Sequence, residues 1–118
     1  MANKTVISVN GAEPHNLYPA FVIASSSAAL GDEVIMWFTP RAGPALLKWE
    51  FPKIKGVGMP DLIEMATDCK NLGVKFYLCG AASDIIGCEA DELWEGVELM
   101  GSTEFVAEAQ PATLSLSF

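Results

Sequence analysis

The chain carries one histidine and three cysteines, Cys69, Cys79 and Cys88, with no CxxC pair among them. That is a poor zinc set, and an odd number of widely spaced cysteines gives no disulfide framework. Basic residues are also scarce. Seven Lys and Arg stand against 15 Asp and Glu, for a net charge of −8 and a pI near 4.4. Such a balance opposes polyanions, so neither nucleic acid nor an anionic membrane surface is an expected partner. Long apolar runs are missing too. The longest, Ala20 to Leu30, is broken by Ser25, Ser26 and Ser27 and is too short to span a bilayer. Met1-Ala2-Asn3-Lys4 leads straight into a strand-like run with no cleavable apolar segment, so a cytoplasmic location is expected.

Nucleotide-binding signatures are absent as well. After the first strand the sequence reads NGAEPHN, with one glycine and the acidic Glu13 where a dinucleotide fold needs GxGxxG. Gly56-Val57-Gly58 lacks the third glycine, and there is no P-loop. No serine sits in an elbow motif. The pair Asp91-Glu92 reads as a solvated turn.

What remains is apolar and patterned. Hydrophobic residues make up 51% of the 118, charged residues 19%, and the mean hydropathy is +0.31. That is enough for one domain, residues 1–118, with heavy burial or a surface patch used for self-association. Trp37, Trp49, Trp94 and Phe51 are candidates for such a contact surface, although large aromatics also fill cores. Strand-like runs lie at Lys4–Val9, Glu33–Thr39, Val74–Leu78, Val97–Met100 and Ala112–Phe118. Between them, helices are expected from Glu13-Pro14 to Gly31, from Pro60 to Gly73, from Ala81 to Ile86, and from an N-cap at Ser102 to Ala109. The second has Leu62, Ala66, Cys69 and Leu72 on one stripe, which makes Cys69 a core residue. One turn of helix is expected at Ala45–Trp49 and another at Asp91–Trp94, with a loop over Phe51–Gly58. Alternating strands and helices at this spacing imply an α/β fold with a mostly parallel sheet between helical layers.

The chemistry concentrates in VKFYLCGAASDIIG, Val74 to Gly87. A strand ends, Cys79 follows, and a small-residue helix begins after Gly80. Backbone N–H groups at a helix start favour a thiolate, and strand ends are where open α/β sheets bind ligands. The competing reading is that Cys79 is a small buried hydrophobe, the usual fate of free cysteine. His15, near the end of the first strand, lies on the same sheet edge and could approach Cys79; a solvated helix-start histidine is the plainer alternative. Cys88 could serve as a resolving thiol across the short helix. A six-residue helix is roughly 9 Å long, however, and a disulfide needs Cα atoms within about 7 Å.

The run KFYLCGAASDIIGCEADEL, Lys75 to Leu93, resembles the cysteine segment of the DsrE/DsrF-like sulfur-relay family. DLIEMATDCKNLGVKFY from Asp61 and GVELMGSTEF from Gly96 agree with it. The resemblance implies a three-layer α/β/α sandwich with a five-stranded sheet, often a homotrimer or hexamer. It further implies that Cys79 accepts a persulfide sulfur from a donor protein and passes it to an acceptor thiol. Gly80, Ala81 and Ser83 would supply N–H groups beside the thiolate, and no metal or organic cofactor would be needed. Two readings stay open: a sulfurtransferase-type carrier, and a non-catalytic oligomeric binding subunit with Cys79 buried. A thiol peroxidase using a Cys79–Cys88 disulfide ranks third on geometry.

Overall fold

The structure, a computed structural model, describes residues 3–118; the side chains of Ser83, Ile86 and Ala90 lie outside the described set. Five strands carry it: β1 Lys4–Val9, β2 Glu33–Phe38, β3 Lys75–Cys79, β4 Val97–Met100 and β5 Leu114–Ser117. The helices are α1 Pro14–Ala29, α2 Leu62–Asn71, α3 Gly80–Ile86 and α4 Ser102–Ala109. The sheet order is β4-β3-β2-β1-β5, and every ladder is parallel. All strands therefore end on one edge of the sheet.

Strand alternation sorts the side chains into two faces. Val34, Met36 and Phe38 of β2 join Ile7, Val9, Phe76 and Leu78 in the core under α1 and α2. Phe21 of α1 is the centre of that core. Its ring lies 6.2 Å from Phe38, 6.0 Å from Phe51 and 5.9 Å from Phe76. The other face, with Trp37 of β2, is covered by α4. Phe105 stacks on Trp37 at 4.4 Å, and Lys4 Nζ reaches Glu108 at 2.6 Å. Helices on both faces give the three-layer α/β/α sandwich.

Several local expectations need correction. Leu72 is half exposed, because α2 ends at Asn71 and Leu72 only caps it. The turn expected at Ala45–Trp49 is a 3-10 turn at Gly43–Leu46, started by Pro44 rather than stopped by it. The stretch expected as a plain loop opens with another 3-10 turn, Phe51–Lys53, and Phe51 is fully buried. Tyr18 pins the rest of that stretch: its hydroxyl donates to Pro60 O at 2.5 Å and accepts from Gly56 N at 3.1 Å. The third turn falls at Ala90–Glu92. In α4 the N-cap is Gly101, not Ser102, and none of its residues is fully buried. Finally, α3 starts at Gly80 itself, so strand and helix join without a linker.

Candidate functional site

Cys79 is the last residue of β3, opposite Met100 of β4 in the parallel register, and Gly80 is already helical. A side chain built onto Gly80 would sit 3.9 Å from the Gly101 backbone. The joints β3–α3 and β4–α4 thus abut through two glycines, each directly following the paired residues Cys79 and Met100.

The three cysteines are all free, and all are buried. They differ in degree and surroundings. Cys69 is sealed at 0% exposure, with Sγ 3.5 Å from Phe21 O. Burial, aided by the nearby Asp68 charge, pushes its thiol up to about 11. Cys79 keeps 8% of its surface and Cys88 7%. Both belong to the core cluster with Leu78, Ala82 and Leu93. Burial raises the Cys88 thiol above its ordinary value, with the Glu92 and Glu89 charges adding to it. A thiol held protonated in this way is a slow nucleophile, which counts against a resolving role for Cys88.

Of the expected supporting residues, Gly80 and Ala81 do sit in the first turn after Cys79. The side chain of Ser83 lies outside the described residues. His15 does not join them. It is exposed on the first turn of α1, and among the described residues no hydrogen bond links it to Cys79. With β2 between β1 and β3, two strand spacings of about 4.8 Å separate the strand ends that carry the two residues.

His15 lines a separate cleft of about 470 Å3 on the same sheet edge, together with Asn10, Ala12, Glu13, Asn16 and Arg41. A Cβ at Gly11 would meet the Asn16 side-chain amide, so a larger residue there would require that amide to swing away. Ala12 also lines a neighbouring depression of about 370 Å3 with Pro44, Leu47, Trp49 and Ile54. Reading the sequence by motif missed this pair of clefts. The available signal was that the only arginine and the only histidine of an acidic chain follow adjacent strands.

Among the described residues no helix is long and apolar enough to cross a membrane. Comparison with solved structures matches the fold closely. The crystal structure of the ychN protein from E. coli superimposes with a TM-score of 0.81 at 22% identity, over 98% of this chain and 99% of that one. MTH1491 from Methanobacterium thermoautotrophicum, described as a protein of unknown function, gives 0.69 at 13% identity over 97% and 98%. Two curated relatives are uncharacterized proteins. YrkE of Bacillus subtilis (strain 168) is 30% identical over 63% of this chain, and MJ0760 of Methanocaldococcus jannaschii is 25% identical over 75%. The chain spans only 44% and 32% of their respective lengths. The family model described as DsrE/DsrF-like matches residues 3–118, the strand-end cysteine included, and the chain belongs to that family.

Proposed function

We propose that residues 1–118 form a single domain that carries sulfur on Cys79, taking it from a persulfide donor protein and giving it to an acceptor thiol. The observation that carries this reading is the position of Cys79. It ends a strand on the edge where α/β sheets bind ligands, abuts a helix start, and keeps some surface while Cys69 keeps none. The exchange balances without an outside oxidant. The Cys79 thiolate attacks the terminal sulfur of R–S–SH; the donor S–S bond breaks, a new one forms to Cys79, and R–S⁻ leaves. An acceptor thiolate then attacks the outer sulfur of Cys79–S–SH and releases the Cys79 thiolate. No metal or organic cofactor takes part.

The carrier works in a reducing cytoplasm, where three free thiols survive, and as a homo-oligomer, a trimer or hexamer. Exposed Leu30, Ile85, Leu99 and Val106 supply apolar surface for that association. A second reading rests on a specific observation, the burial of Cys79 in the core cluster. On it the chain is a non-catalytic subunit of the same fold. To separate the two, the native protein is treated with a persulfide donor and weighed intact, then digested to locate the added sulfur. One sulfur on Cys79, lost on adding an acceptor thiol and absent from Cys79→Ser, supports the carrier. An inert Cys79 at every pH up to 9 leaves the subunit reading.

A further inference from the structure

We infer a second binding site, for a small organic anion with a flat apolar body, at the two joined clefts beside the ends of β1 and β2. One half is polar. Arg41 follows β2 and His15 opens α1; they are the only residues of their types in a chain of net charge −8. Neither has an ion-pair partner within 4.0 Å among the described residues. Asn10 and Asn16 line the same cleft, the Asn10 amide also donating to Ser117 Oγ at 3.2 Å. A guanidinium with a free fork pairs a carboxylate through two charge-assisted hydrogen bonds. Glu13 lines the cleft too and opposes an anion, so the site's selectivity rests on Arg41.

The other half is apolar. Beyond Ala12, which walls both clefts, lie Leu47, Ile54 and Trp49, with one carboxylate, the exposed Glu50, at this end; like Glu13 it opposes an anion, so the ring and not the charge is seated here. Trp49 is 45% exposed, whereas Trp37 and Trp94 are mostly covered. Trp49, in the cleft on the far side of Ala12 from Arg41, gives a flat ring a stacking surface. The two clefts, about 470 and 370 Å3, lie within the range of small-molecule sites. The bound anion would thus place its carboxylate at Arg41 and its ring against Trp49. Neither Cys79 nor Cys88 lines either cleft, so the site stands independently of sulfur transfer.

The test uses 2-naphthoate as probe, followed through the indole N–H resonances in a 15N-labelled full chain. Sulfate supplies charge without a body, and 2-naphthalenemethanol a body without charge. Saturable binding of 2-naphthoate that shifts the Trp49 resonance is expected. Arg41→Gln, which removes the exposed bidentate pair, should weaken it about tenfold. Trp49→Ala should weaken it several-fold, and Glu13→Gln should tighten it. All three residues are exposed, so the variants should fold, and unchanged circular dichroism melts would verify that. Equal binding of 2-naphthalenemethanol, equal binding of sulfate, or no effect of Arg41→Gln each overturns the proposal. Cys79→Ser should bind the probe as the parent does, and Arg41→Gln should still take up sulfur. Failure of this site and failure of the carrier reading are therefore separate results.

Discussion

Cys69 and Cys79 are ten residues apart in sequence, but their surroundings differ: Cys69 keeps no exposed surface and Cys79 keeps 8%. The Cys69 thiol is fully buried and its ionisation is pushed up to about 11. In the unfolded chain it would ionise near the ordinary thiol value. Above that value the unfolded state holds fewer protons than the folded one, so stability falls with rising pH. We expect the contribution to be fully present below pH 8 and to decline between about pH 9 and 11, by on the order of 2 kcal/mol. Urea titrations at each pH check this, and Cys69→Ala should flatten the decline. At this scale the sequence was partly readable. The helical stripe placed Cys69 inside, and the strand-to-helix junction located Cys79. Neither pattern reports how much of a sulfur faces water, since that depends on α3 and β4 packing beside it. His15 is exposed on the first turn of α1, in keeping with the plainer of its two readings, a solvated helix-start histidine: a shared sheet edge brings two residues to one side of the molecule without bringing them into contact.

Helix α4 is lightly secured: it buries none of its residues fully, and the Phe105–Trp37 stack and the Lys4–Glu108 pair tie it to the sheet. Lys4 holds the Glu108 carboxyl below its usual range, so this tie is present at neutral pH and is lost as the pH falls through the depressed value. Phe105→Ala removes the stack, and we expect a loss of about 2 kcal/mol, below that of a fully buried phenylalanine. Hydrogen exchange should speed up in α4 while Phe76 and Met36 stay protected; uniform acceleration would show that α4 is integral to the core instead. Strands were the legible elements. Apolar, β-branched runs such as KTVISV and EVIMWF gave their places within a residue. Helix ends were harder to read. Leu72 continues the apolar stripe of α2 but lies past its last turn, and Ser102 is a good capping residue next to a glycine that takes the cap instead.

For the whole molecule the sequence conveyed the layer plan, because helices alternating with largely apolar strands such as EVIMWF leave few ways to cover a sheet. Strand order was beyond it. The last strand crosses back to pair with β1 rather than adding beside β4, and only the pairing itself reveals that. Self-association was inferred from apolar surplus, yet the four aromatics suggested for the contact divide. Phe51 is core, Trp37 and Trp94 are largely covered, and Trp49 alone stands open. We expect sedimentation at micromolar concentration to give a multiple of the 12.6 kDa chain; a monomer would remove the oligomer. The sheet also limits how copies could join. Its two border strands, β4 and β5, are only four residues each. So brief a rim offers a poor template for adding another chain's backbone. Concentrated solutions should therefore yield closed, countable particles joined through helices, and not fibres that lengthen by strand addition.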